Sequence, residues 1–384
     1  MRCRLPSLSE RKIRLIKTAV PIREQRFFLF HGFQRFCHID AFQLFMKHQI
    51  LKPLLSLSAA FIVISANAID HPKATLPLVS SERFTLVEDG QPVSIVVSRT
   101  EDKAILRAAD NLVLDFERVT GNKPALSDIP QSARVIIIGS LDSPLVNQMI
   151  QRGKFDPSEL KGCREKYLIQ TIENPLEGVD DALVIVGSDR RGAVYGIYEI
   201  SEQIGVSPWY DWADAPIARQ DDLSIARGSY TAGEPAVRYR GIFLNDEAPC
   251  LTGWVKHTYG TEYGDHRFYE RVFELILRLR GNYLWPAMWS WAFYEDDPMN
   301  SKVADEMGII MGTSHHEPMA RNHQEWARRR NQYGVWDYGT NKKVIDKFFR
   351  EGIERAKDTE DLITIGMRGD GDAAMGGKEG HDDE

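Results

Sequence analysis

At 384 residues the chain is long for one domain and suits two, and its 43% hydrophobic and 10% aromatic content can fill a sizeable core, which excludes wholesale disorder. Its formal net charge of −7 conceals an asymmetry: residues 1–68 carry 11 Lys and Arg against 3 Asp and Glu, leaving 37 against 52, a net −15, for the remainder. An acidic body repels the phosphate backbone, so nucleic acid is excluded as a partner.

The basic surplus has a local origin. From Met46 the chain reads MKHQILKP, then the apolar run LLSLSAAFIVIS, then ANA, a small-residue cleavage pattern ending at Ala68. Residues 46–68 are therefore expected to be a secretory signal, and the product to be secreted or periplasmic. A retained anchor is the alternative, but a span needs about 20 apolar residues and this run is shorter. No membrane association is expected after cleavage. Residues 1–45 are basic and without pattern, which suits a spurious upstream extension. The remainder keeps Cys163 and Cys250 alone, enough for one disulfide and without metal-binding spacing.

Residues 69–220 read as an α/β sandwich domain. FTLVEDGQPVSIVVS, 84–98, predicts two short strands around an Asp-Gly turn. The spacing over 102–121 predicts a helix ending on Gly121. RVIIIGS (134–140) and ALVIVGS (182–188) are β-branched runs of the kind found in buried parallel strands, and DRRGAVYGIYEISEQIG supplies a helix after the second. The Gly-Ser after each strand fits neither GxGxxG nor GxxxxGK[ST], so a strand eased into a helix is preferred to a nucleotide site.

The stretch 207–237 is rich in Pro, Gly, Asp and aromatics, and 221–237 is expected to be a linker. Over 238–384, β-then-α units follow one another. Strands are predicted at 239–246, 282–288, 309–315 and 362–370, with helices at 267–281, 301–308 and 342–358. This is the pattern of a (β/α)8 TIM-type barrel, which needs about 250 residues, so the segment supplies the first half. A four-strand open sheet is the alternative.

Polar residues gather at the strand ends, where such a barrel keeps its active site. The first end carries Asn245, Asp246 and Glu247; the second Trp285, Met288, Trp289 and Trp291; the third His315, His316 and Glu317; the fourth Arg368, Asp370 and Asp372. Carboxylates beside flat aromatic faces suit glycoside hydrolysis, in which two carboxyls share the acid and water-activating roles while indoles pack on sugar rings. Arg368 can bind a carboxylate through two hydrogen bonds, which favours an acidic sugar. Each residue also has a plainer reading. Asp246 or Asp372 could cap a helix, Trp285 and Trp289 could be core, and Arg368 could pair with Asp370 or Asp372. A metal site built on His315, His316, Glu317 and His323 is a rival. HHEP is not HExxH, however, and adjacent residues of an extended segment point to opposite sides, so no metal or cofactor is expected. A neutral histidine that hydrogen-bonds a sugar fits better.

Five segments, DRRGAVYGIYEISEQIGVSPWYDWAD, RGIFLNDE, GNYLWPAMW, GTSHHEPM and GMRGDGDAAMGGKEGHDDE, resemble in that order the α-glucuronidases of glycoside hydrolase family 115. The resemblance spans 75–384. It implies an α/β domain, a catalytic barrel, and helical and β-sandwich domains beyond. It also implies inverting, metal-free removal of α-1,2-linked glucuronic acid or its 4-O-methyl ether from glucuronoxylan or aldouronic acid oligosaccharides, and a homodimer is entertained for the full-length protein. Carried over, the catalytic carboxylates fall on Asp246 and Asp372, about 6.5–9.5 Å apart to hold a water in an inverting site. The substrate-binding set falls on Asn245, Trp285, Trp289, His315, Glu317, Arg368 and Asp370. The family's further glutamate, its expected general acid, would lie beyond Glu384, so this polypeptide is expected to be a fragment with little activity. A non-catalytic carbohydrate-binding fragment, or another exo-glycosidase such as a hexosaminidase, are the alternatives.

Overall fold

A first strand, β1 (Arg83–Glu88), turns at Asp89 and Gly90, whose φ values of 49° and 73° are those of a tight hairpin turn, into β2 (Gln91–Pro92). These coordinates are a computed structural model that describes residues 82–286, 289–366 and 368–376. The expected signal, 46–68, and the extension before it lie outside the described residues.

β3 (Ser94–Val97) opens the central sheet, whose other strands are β4 (Leu126–Ser127), β5 (Arg134–Ser140), β6 (Tyr167–Glu173), β7 (Asp181–Gly187) and, after β8 (Leu223–Ala226), β9 (Ser229–Tyr230). Its order is β4-β3-β5-β7-β6-β9. The first four are parallel, as the two β-branched runs predicted, with Val135 opposite Ala182 in register. β6 and β9 add antiparallel pairings that the sequence reading missed. Alternation sorts the strands onto two faces: Ile136, Ile138 and Ile185 join one apolar cluster, Val135, Ile137 and Val184 the other.

Helix α1 (Lys103–Thr120) and helix α3 (Arg190–Gln203) cover the first face, and α2 (Pro144–Gln151) the second. α1 starts where the Asp102 side chain accepts the Ala104 N–H at 2.8 Å and stops where Gly121 turns left-handed at φ 77°. Ile105, Ala108, Leu112, Phe116 and Val119 form its buried stripe.

The expected linker is partly strand. β8 pairs with β1 and β9 with β6, so residues 223–230 close the first domain rather than lead away from it.

The second region alternates as expected. β10 (Gly241–Phe243), β11 (Tyr283–Trp285) and β12 (Ile310–Met311) form a parallel sheet in chain order. Between the strands lie α4 (Cys250–Tyr259), α5 (His266–Arg278), the short α6 (Phe293–Asp296) and α7 (Met299–Met307). Phe268, Val272 and Phe273 of α5 and Val303 of α7 belong to the same cluster as α1 and α3, so one core runs through both regions. After β12 come α8 (His323–Ala327), α9 (Arg330–Tyr333) and α10 (Tyr338–Ala356).

Of the fourth predicted strand, 362–370, the described residues form strand only at Arg368–Gly369, which pairs within a hairpin rather than with β12. One backbone bond, Leu362 N–H to Met311 O at 2.8 Å, lays the segment beside β12, and no ladder follows. Asp370, Gly371 and Asp372 then take φ values of 43°, 79° and 72°, which reverse the chain between β13 (Arg368–Gly369) and β14 (Ala373–Ala374). Among the described residues the sheet does not close. What stands is three consecutive parallel strands with their helices, and the half-barrel remains an expectation.

Candidate active site

The carboxyl end of β10 leads to Asp246, which is fully buried. Its Oδ1 accepts the Trp289 N–H at 2.7 Å; its Oδ2 accepts the N–H groups of Ser290 at 2.6 Å and Trp291 at 2.9 Å and the Ser290 hydroxyl at 3.1 Å. A carboxylate gripping three successive N–H groups holds the turn after β11 in place and with it the Trp289 ring, which is 45% exposed. From the other side, the Gln324 amide donates to Trp289 O at 2.6 Å, tying that turn to α8. Asn245 closes a local turn, its Oδ1 accepting the Glu247 N–H at 3.1 Å.

The loop after β12 brings in the histidines. The rings of His315 and His316 lie 4.9 Å apart and 11° from parallel, and His316 stacks in turn on His323 at 4.9 Å. The expectation that neighbouring histidines diverge fails, because residues 315 and 316 sit in a turn rather than in extended chain. His316 is 2% exposed and neither of its ring nitrogens has a hydrogen-bond partner. Burial, reinforced by the two flanking histidines and opposed by Asp372, pulls its pKa down from 6.5 to about 4, so the ring is neutral near pH 7.

The β13–β14 hairpin closes the group. Asp372 Oδ1 lies 3.2 Å from His315 Nε2, 3.9 Å from His316 Nδ1 and 2.9 Å from Arg368 Nε. Arg368 also donates from Nη2 to the Asp372 carbonyl at 3.1 Å. Asp246, the Trp289 turn, α8, the histidine stack, Asp372 and Arg368 thus form one continuous chain of contacts drawn from the ends of β10, β11 and β12 and from the hairpin.

Three predicted residues stand apart. Asp370 turns away to an ion pair with Arg330, Nε to Oδ2 at 3.1 Å. Trp285 packs edge-on against Phe243 at 5.7 Å and donates its indole N–H to the Tyr283 hydroxyl. Glu317 is buried behind the histidines, where Asn322 Nδ2 donates to it at 3.1 Å and the Ser314 hydroxyl lies within 3.3 Å. Burial pushes its pKa from 4.5 up to about 8 against the pull of those donors, leaving it mostly protonated at neutral pH. The sequence reading missed Gln324 and the stacking role of His323; their signal was the density of polar residues in HHEPMARNHQ.

Among the described residues no group of three or more His, Cys, Asp or Glu side chains is arranged to hold a metal ion, and no helix is long and apolar enough to cross a membrane.

Residues 232–382 match the family model described as glycosyl hydrolase family 115. A solved family GH115 4-O-methyl-alpha-glucuronidase with specificity for decorated arabinogalactans is 34% identical, with a TM-score of 0.66 over 76% of this chain. The chain belongs to glycoside hydrolase family 115. It spans 37% of the length of that solved relative. A chitobiase of Flavobacterium johnsoniae is 13% identical with a TM-score of 0.36, covering 63% of this chain and 33% of its own. A beta-hexosaminidase of Streptomyces plicatus is 10% identical with a TM-score of 0.36, covering 65% of this chain and 45% of its own. Likenesses that weak carry no argument about function. No curated protein matches the chain.

Proposed function

We propose that this family 115 chain contributes the uronate-binding side of an exo-acting, inverting glycoside hydrolase pocket, which removes α-1,2-linked glucuronic acid or its 4-O-methyl ether from glucuronoxylan or its aldouronic acid oligosaccharides. The observation that carries the reading is the meeting of Arg368 and Asp372, from the hairpin, with His315, from the loop after β12, Asp372 Oδ1 lying 2.9 Å from Arg368 Nε and 3.2 Å from His315 Nε2. In this reading Trp289 packs on the sugar face and Arg368 takes the uronate carboxylate. Asp372 orients the water that attacks the anomeric carbon, and His315 supplies a hydrogen-bonding group at its side. Asp246 serves through position, by holding the Trp289 turn. The three parallel strands and their helices fit the first half of a TIM-type barrel, with these groups at its carboxyl-end face.

The relative's preference for decorated arabinogalactans sets the competing polymer. Calorimetry and product analysis with uronic-acid-bearing oligosaccharides from glucuronoxylan and from arabinogalactan, scored separately for binding and for release of free uronic acid, test the reading. Preference for the xylan-derived compounds, weakened about tenfold or more by Arg368→Ala for acidic but not for neutral sugars, is the expected result. Equal binding of acidic and neutral sugars, or turnover of N-acetylhexosaminides instead, would overturn it.

A further inference from the structure

The loop between β12 and α8 is held in a shape that its own backbone resists. Met319 and Ala320 take φ values of 57° and 55°, successive non-glycine residues in the left-handed region, at a cost of about 1–3 kcal/mol each. Ala320 is 2% exposed and its carbonyl accepts from Arg355 Nε at 3.1 Å, so the turn is buried and braced from α10. Strain of this kind persists only where the surroundings over-determine it, and it gathers at active sites and ligand clamps. The turn has a visible consequence: it returns the chain so that the His323 ring lies on His316, which lies in turn on His315.

Glu317 sits inside this loop and fastens both of its ends. Its side chain is fully buried. Toward the start of the loop, Oε2 accepts the Ser314 hydroxyl at 3.3 Å, with the Ser314 N–H at 3.4 Å. Toward the end, Oε1 accepts from Asn322 Nδ2 at 3.1 Å, and the His323 N–H is a further donor to the carboxyl. The Glu317 carbonyl also accepts the Thr313 hydroxyl at 2.6 Å. Ser314 immediately precedes His315, and His323 supplies the last ring of the stack, so one carboxyl ties together the segments on either side of the rings. His316, the middle ring, adds no tether of its own, since neither of its nitrogens has a hydrogen-bond partner.

Being fully buried, Glu317 does not meet a sugar; what it can set is where His315 stands. His315 is the exposed member of the stack, and its Nε2 lies 3.2 Å from Asp372 Oδ1. A shift of about 0.5 Å would take that pair out of hydrogen-bonding range. We infer that Glu317 is a positioning residue: through Ser314, Asn322 and His323 it sets the histidine stack and thereby holds His315 against Asp372. The consequence for sugar binding rests on the uronate-pocket reading, whereas the placement of His315 does not. Burial keeps the carboxyl mostly protonated at neutral pH, so an amide of the same shape can take its place.

Histidine-selective 15N NMR on the whole chain reads the His315 ring directly, and calorimetry with glucuronic acid reads the pocket. In the parent, Asp372→Asn should move the His315 ring signals. Glu317→Met keeps the volume but accepts no strong hydrogen bond. In that background Asp372→Asn should leave the His315 signals in place, and glucuronic acid should bind about three- to tenfold more weakly, the worth of one neutral hydrogen bond. Glu317→Gln should restore both. A glutamate that served stability alone would lower the melting temperature of Glu317→Met while the response of His315 to Asp372→Asn stayed intact; that result would overturn the inference, as would failure of Glu317→Gln to restore the response. Should Glu317→Met not fold, Ser314→Ala cuts the tether next to His315 alone, and an undiminished response in that variant is equally fatal. If the response is lost in Glu317→Met while the parent binds no glucuronic acid, the positioning holds and the uronate reading falls.

Discussion

Two buried titratable side chains behind the rim pull stability in opposite directions with pH. Glu317 has its folded pKa raised from 4.5 to about 8. Its contribution is fully present below the unfolded value and is lost as pH rises toward 8, because the unfolded chain ionises there and the folded one resists. His316 has its folded pKa lowered from 6.5 to about 4. Its contribution is present above 6.5 and is lost as pH falls toward 4. Denaturant titrations of Glu317→Gln should accordingly show a flatter alkaline limb than the parent between pH 5 and 8, by an amount on the order of 2 kcal/mol; an unchanged slope would mean that Glu317 ionises normally. Asp246 calls for a different experiment. Asp246→Asn keeps the shape but turns an amide N–H₂ toward N–H groups of the 289–291 turn, leaving at least one buried donor unpaired at a cost of about 1–3 kcal/mol. A lowered Tm together with faster quenching of tryptophan fluorescence is expected, since the Trp289 turn loses its clamp.

At the scale of elements, packing of α10 against the 319–321 turn decides more than helix propensity does. Gly352 lies inside α10, and a Cβ added there would come within 2.1 Å of the Met319 carbonyl oxygen and 2.8 Å of the Arg321 side chain. Gly352→Ala gains about 1 kcal/mol of helix propensity, but a backbone oxygen cannot step aside as a side chain can, and overpacking costs about 1–3 kcal/mol. Net destabilisation in urea unfolding is expected, and a stabilised variant would show that α10 can slide. The same balance between local pattern and tertiary setting explains what the sequence made legible. α1 could be read because Asp102, an unbroken apolar stripe and Gly121 all agree. β5 and β7 could be read because burial on both faces leaves a continuous apolar run. β10, β11 and β12 were placed correctly but drawn too long, since the ladder ends after two or three residues where each chain turns toward the rim. The strand expected over 362–370 was misread because its apolar half is real, while the hairpin that follows depends on left-handed φ values at Asp370 and Asp372 that composition does not reveal. Likewise β8 and β9 were hidden in a stretch whose prolines and glycines suggested a linker. At the site, the residue types at the strand ends were visible; the pairing of Asp372 with His315, and of Asp246 with the 289–291 turn, depends on contacts between distant segments.

For the whole molecule, two kinds of linkage join the first domain to the parallel strands that follow it, and they can be told apart. One is polar. Glu165, 1% exposed, sits 2.7 Å from Arg191 Nε and 2.7 Å from Arg240 Nη2 and accepts from Asn282 Nδ2 at 2.8 Å, so a first-domain carboxylate grips residues flanking β10 and β11. The other is apolar: Tyr195 and Ile197 of α3 share one cluster with Phe273 and Ile276 of α5. Removing the carboxylate in Glu165→Ala leaves Arg191 with Glu360 and Arg240 with backbone carbonyls and the Tyr195 hydroxyl, so the loss should fall below the about 3–5 kcal/mol of a buried ion pair broken from one side. The shared core is untouched by that change, and apolar burial at about 25 cal/mol per Å² over several large side chains outweighs one ionic cluster. Calorimetry of the variant should therefore show a single transition at lower temperature. Two separate transitions in Glu165→Ala would mean that the ionic cluster, and not the common core, makes the halves fold as one.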